Sequence, residues 1–242
     1  MHIYSTKKLG KCMSKFQSKL LTMIMSVLLV VSMLFVGREA AEYAMGGRVA
    51  AERCVVIDAG HGGDDPGKVG INGALEKDIN LRIAKLVKQY LESNDIKVVM
   101  TRETEAGLND ANASNKKVQD MKRRIALIEE TAPTVTVSIH QNSYPEEYVH
   151  GAQVFYYSGS SKGEKLAEYV QKQLVKELDP ENKRQIKAND SYYLLKKTQT
   201  PIIIVECGFL SNGAEAEKLC DETYQEQVAW AISMGILKYL NE

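Results

Sequence analysis

Apolar positions along the chain recur with two periods. Short runs rich in valine and isoleucine read as strands: "CVVIDA" from Cys54, "IKVVMTR" from Ile96, "TVTVSIH" from Thr134, "AQVFYY" from Ala152 and "PIIIVECGFLS" from Pro201. Between them the spacing changes to three and four. "EKDINLRIAKLVKQYLES" places Ile79, Ile83, Leu86, Val87, Tyr90 and Leu91 on one helical face. After the polar loop "NDANASNKKVQD" a helix runs from about Lys117 to Glu130 and stops before Pro133. "SSKGEKLAEYVQKQLVKEL" starts on a serine cap, and a last helix spans about Tyr224 to Leu240. Strands separated by helices predict an α/β fold, a single domain with a mostly parallel mixed sheet flanked by helices on both faces.

One stretch follows neither period. "LLTMIMSVLLVVSMLFVG", Leu20 to Gly37, is apolar all round and uncharged, and it follows Lys7, Lys8, Lys11, Lys15 and Lys19. This pattern predicts an N-terminal apolar targeting helix, long for a signal-peptide core and somewhat short of the ~20 residues of a full span. Cleavage, at the small residues Ala44 and Gly46, and retention as an anchor are both compatible with it. The lysines mark the cytoplasmic side, so everything after about Arg38 lies outside. The chain then divides into a basic cytoplasmic segment (1–19), a signal peptide or signal anchor (20–37), a linker (38–52) and a folded domain (53–242).

Composition narrows the partners. Lys and Arg together number 31, as do Asp and Glu, for a formal net charge of +0, so no global field draws the protein to nucleic acid. A hydrophobic content of 44% is enough for a real core. Cys54, Cys207 and Cys220 would be exported without any framework spacing, which predicts no essential disulfide and, lacking a CxxC pair, no cysteine zinc site.

Parallel sheets form sites at the carboxyl ends of their strands. His61 lies just past the first strand, His140 ends "TVTVSIH" and Glu206 ends "PIIIVE". Glu76 opens the next helix and joins them if the loop after His61 folds back. Taken singly, most have ordinary readings: "GHGGDDPG" could be a turn whose histidine bonds backbone, and Glu76 suits a first helical turn. That loop lacks the spacing and the lysine of a phosphate cradle, and Asp64 and Asp65 would repel the anion. Glu206 is different, because a carboxylate behind Ile202, Ile203, Ile204 and Val205 is costly to bury without a metal, a base or a task. Together the residues satisfy a known requirement. Catalytic zinc takes three His or carboxylate ligands and leaves a position open, a role for His61, Glu76 and His140, while Glu206 would move the proton.

"VVIDAGHGG", "ALEKDINL", "VSIHQNS" and "IIVECGFLSN", in this order and spacing, resemble the zinc-dependent N-acetylmuramoyl-L-alanine amidases of bacterial cell-wall remodelling, over roughly Val55 to Leu240. The resemblance implies a mixed sheet flanked by helices, Zn²⁺ on His61, Glu76 and His140, and Glu206 as catalytic acid/base. It implies peptidoglycan as substrate, cut between the lactyl group of N-acetylmuramic acid and L-alanine. "YYLLKKTQTPIIIVECGFLSN" and "YQEQVAWAISMGILKYL" are similar to a small membrane-targeted branch in endospore formers, which implies muramic-δ-lactam formation in spore cortex. Two departures matter. The segment Gln141 to His150 has no room for the autoinhibitory helix that division amidases insert there, and no wall-binding module flanks the domain. Localisation would then come from the N-terminal segment or a partner, and an accessory activator protein could complete or rigidify the site. Rival readings are a zinc peptidase cutting within the stem peptide, an inactive wall-binding module and a membrane-tethered interaction protein. The inactive module would be favoured by loss of any of the four residues, and none is lost; the tethered protein leaves the four motifs unexplained.

Overall fold

The computed structural model describes residues 23–38 and 53–242. The basic segment, the start of the apolar run and most of the linker lie outside the described residues. Residues 23–38 form helix α1, with its side chains exposed. Among the described residues no helix is long and apolar enough to cross a membrane. Residues 52–242 form a compact unit of their own.

That unit is built on a six-stranded sheet of β1 (Cys54–Ala59), β2 (Lys97–Met100), β3 (Val135–Asn142), β4 (Gln153–Tyr156), β5 (Lys187–Ala188) and β6 (Ile202–Phe209). Its spatial order is β2-β1-β3-β6-β4-β5. β2, β1, β3 and β6 run parallel, and β4 turns against β6, so the sheet is mixed and mostly parallel as expected. The helices are α2 (Glu76–Glu92), α3 (Lys116–Thr131), α4 (Ser161–Leu178), α5 (Tyr193–Lys197), α6 (Gly213–Cys220) and α7 (Glu222–Leu240).

Strand alternation sorts the side chains between two unequal faces. Val55, Ile57, Ala59, Val135, Val137, Ile139, Ile203, Val205 and Cys207 pack into a large core with α2, α4 and α7. Val56, Ile202 and Ile204 point the other way, into a small cluster with Ile128 of α3 and Leu194 and Leu195 of α5. α5 is a helix of only one turn and covers little. The same alternation puts Asp58, Ser138, His140 and Glu206 on this thinly covered face, and there the site opens.

Local signals explain most boundaries. Side chains of Asn115, Ser160, Asn212 and Asp221 accept hydrogen bonds from backbone N–H groups of α3, α4, α6 and α7, satisfying donors that a helix start leaves free. α3 ends at Ala132, which is left-handed with φ 45°, just before Pro133.

Candidate active site

The loop after β1 turns sharply. Gly60 follows the strand, and a Cβ there would lie 2.3 Å from Cε1 and Nε2 of His140, so only glycine lets that ring cross the backbone. His61 comes next with φ 61°, left-handed and uncommon for a residue with a side chain. Gly67, at φ 68°, brings the chain back so closely that a Cβ would meet Glu76 Oε2 at 2.5 Å. The loop does fold back onto the start of α2, and Glu76 enters the site.

Three donors converge. Glu76 Oε1 lies 3.2 Å from His61 Nε2 and 2.9 Å from His140 Nδ1. One ligand atom from each residue lies within 4.8 Å of the other two. Two imidazoles and one carboxylate are a suitable donor set for a divalent metal with an open position. The environment orients each of them. His61 Nδ1 donates to Asp65 Oδ2 at 3.0 Å, which orients the ring with Nε2 toward Glu76. Glu76 Oε2 accepts from the Lys68 N–H at 2.7 Å, and Oε1 accepts from Gln141 N–H and Asn80 Nδ2 at 3.1 and 3.3 Å. Burial would raise the Glu76 carboxyl, but hydrogen bonds from His140 and His61 outweigh it and hold it well below the usual carboxylate range. For His140, burial works toward neutrality, and Glu76 overcomes it, so its pKa is raised.

Glu206 stands beside this group without belonging to it. It pairs in register with His140 across β3 and β6 and is 7% exposed. Its Oε2 is buried and accepts no hydrogen bond from the protein. Burial pushes its pKa up to about 7, with Glu76 adding to the rise and His140 opposing it. β3 and β6 continue past His140 and Glu206 to Asn142 and Phe209, so both residues sit inside their strands, not at the ends. A cleft of about 380 Å³ exposes the group on the α3/α5 side, lined among others by Met121, Tyr192, Leu194 and Ile204. Residues 143–152 join β3 to β4 without a helix, so no inserted helix covers it.

Under the loop lies a layer of charge that sequence reasoning missed. Asp58, 1% exposed, accepts from Arg124 Nη1 at 2.6 Å, Thr101 Oγ1 at 2.7 Å and Ser138 Oγ at 2.5 Å. Burial pulls Arg124 down, yet Asp58 and Asp120 more than restore it, so it stays a cation. Arg102 is 5% exposed, and burial together with the neighbouring Arg124 lowers it to about 10. An aspartate directly after "VVI" was the available signal, of the same kind that singled out Glu206.

The residues 55–238 match the Amidase_3 model, N-acetylmuramoyl-L-alanine amidase. The chain belongs to the N-acetylmuramoyl-L-alanine amidase family. A germination-specific amidase of Bacillus subtilis is 37% identical over 193 residues, covering 78% of this chain and 81% of the relative. Among solved structures, the CwlD amidase of Clostridioides difficile, in complex with the GerS lipoprotein, is 38% identical. It has a TM-score of 0.76 and is covered to 98%, against 78% of this chain. The amidase AmiC2 of Nostoc punctiforme is 35% identical with a TM-score of 0.70, covering 80% of this chain and 100% of that one. The amidase fold thus carries amide hydrolysis on peptidoglycan, and each of the four residues singled out by sequence lies at the one site.

Proposed function

We propose that this amidase works with zinc held by His61, Glu76 and His140, with Glu206 as its acid/base, on peptidoglycan of the spore cortex. The observation that carries the reading is Glu206: a buried carboxyl with an unpartnered oxygen, in register with His140 and next to a three-donor cluster. When bound, the ion supplies Lewis-acid polarisation of the scissile carbonyl and acidifies an attacking water. Glu206 takes the proton from that water as its oxygen bonds to the lactyl carbonyl carbon. It then gives the proton to the alanine nitrogen as the C–N bond breaks. The products are a lactyl carboxylate and a stem peptide with a free L-alanine amine. In the metal-free protein burial raises this carboxyl to about 7, toward the range of a group that must accept and release a proton in one cycle.

The cortex role is supported by the germination-specific relative and would supply peptide-free N-acetylmuramic acid, on which a deacetylase must act before the δ-lactam closes. The apolar run from Leu20 to Gly37 supports export, anchored or secreted, with the catalytic domain on the wall side. An accessory protein is supported by the CwlD structure with its lipoprotein. The test is to incubate the protein with purified peptidoglycan, with and without a chelator followed by Zn²⁺, and to identify the fragments by mass spectrometry. Free stem peptides starting with L-alanine, lost on chelation and restored by zinc, are the expected result. Cuts within the stem peptide would replace this reading by the peptidase one.

A further inference from the structure

The geometry points to Arg102 and Arg124 as positioning residues that hold the backbone of His61 so that its imidazole meets Glu76 and His140; this rests on the reading of those three as metal ligands. The His61 carbonyl accepts from two buried guanidinium groups at once, Arg102 Nε at 2.7 Å and Arg124 Nη2 at 2.6 Å. The preceding carbonyls turn the same way. Ala59 O accepts from Arg102 Nε at 2.9 Å and Arg124 Nη1 at 2.8 Å, and Gly60 O accepts from Arg102 Nη2 at 3.0 Å. Three successive carbonyls aimed into one cationic pocket are what hold His61 at φ 61° with its side chain toward the donors.

Each arginine also reaches a second element of the site. Arg102 Nη2 bridges from Gly60 O to Lys77 O at 2.7 Å, linking the residue before His61 to the residue after Glu76. Arg124 bonds Asp58, and Asp58 accepts from Ser138, two positions before His140 on β3. The two side chains therefore link the His61 backbone to the residue after Glu76 and, through Asp58, to the strand that carries His140. Stability alone does not account for them. All five hydrogen bonds of Arg102 end on carbonyls, including Thr104 O at 2.9 Å, and burying a cation this way is costly compared with apolar packing. The forked, planar guanidinium is what reaches several carbonyls at fixed angles; an ammonium cannot.

The test measures Zn²⁺ and Co²⁺ affinity of the full chain by competition with a chromogenic chelator, together with the visible spectrum of the Co²⁺ form and the melting temperature of metal-free protein. Arg102→Lys and Arg124→Lys keep the charge and lose the fork. Each should bind metal roughly 10–100-fold more weakly, the usual effect of disturbing a ligand's support, with an altered Co²⁺ spectrum. Arg123→Lys, on the exposed side of α3 and paired with Asp110, should bind as the parent does. If Arg124→Lys does not fold, the double change Asp58→Asn with Arg124→Gln removes both buried charges together, and Arg102→Lys stands independently. Folded arginine variants that melt lower but keep parental metal affinity would overturn the inference and leave a structural role. His61→Ala separates the two readings: unchanged affinity there would overturn the ligand reading and this one with it. Loss in His61→Ala with none in the arginine variants would overturn this one alone.

Discussion

His140 and Glu206 lie side by side on two parallel strands, in register on β3 and β6, and yet their pKa values are raised by different causes. Glu76 raises the pKa of His140, whereas burial raises that of Glu206. One side chain is set beside a charged donor cluster, and the other is left with an unanswered oxygen. This contrast separates binding from proton transfer.

Glu206→Gln keeps size and polarity but cannot accept a proton. It should fold and bind metal like the parent, while stem-peptide release slows by about 10²–10⁴-fold. Glu76→Ala should lose metal and activity together, because it removes one of three donors. Bound metal per chain and the rate of peptide release distinguish the two. Near-parental turnover in Glu206→Gln would move the proton to another group.

The same substitution has a pH signature in metal-free protein. The folded pKa of Glu206, about 7, lies above its ordinary value of 4.5, so the unfolded chain releases its proton first. Stability is then lost as pH rises between these values, by about 3 kcal/mol in all. Chelated Glu206→Gln should melt above the parent at pH 8 and equal to it near pH 4. Melting curves that differ equally at both pH values would show that Glu206 is not the titrating group.

Gly60 tests the packing of the ring. With a Cβ 2.3 Å from two atoms of His140, Gly60→Ala must push the imidazole off its donor position. Overpacking of this kind costs about 1–3 kcal/mol, and metal affinity should fall with it. Calorimetric metal titration alongside urea unfolding measures both. An alanine variant with parental metal affinity would mean that the ring is placed by something other than this contact.

The strand and helix alternation was legible because long elements repeat their periods several times. α3 and α7 begin only one or two residues before the expected starts. α5 was not legible, since five residues span barely more than one turn and show no period. α6 did carry a signal in "SNGAE", where Asn212 caps the helix by accepting from Glu215 N–H. Of the site, His61, Glu76, His140 and Glu206 could be read from motifs and from expected strand ends, although β3 and β6 run on past His140 and Glu206. Its supporting layer could not. In "KRRIA" Arg123 and Arg124 are identical in type, and only their 100° offset around α3 sends one to solvent and the other to 1% exposure. In the sequence Asp65 is only an obstacle to phosphate, and the turn of the loop makes it the partner of His61 Nδ1.

Asp58 gives the supporting layer its own acid signature. Burial would raise its carboxyl, but Arg124 and the hydroxyls of Ser138 and Thr101 outweigh it and bring the pKa down to about 2, from 3.8. A depressed acid contributes stability that is complete above the ordinary value and is lost as pH falls toward the folded one. The contribution here is about 2 kcal/mol, at 1.36 kcal/mol per pH unit. Asp58→Asn cannot titrate and leaves Arg124 with Asp120 as its remaining carboxylate, at 2.6 Å from Nε. At pH 7 the variant should be less stable by about 3 kcal/mol, the lower end of what breaking a buried pair costs. Between pH 4 and pH 2 the parent loses its advantage and the variant does not, so the gap should narrow by about 2 kcal/mol. Urea unfolding of both proteins across this range measures the gap directly. A gap constant from pH 7 to pH 2 would mean that Asp58 keeps its proton balance on folding, and that the loop is held up by the arginines and their carbonyls without it.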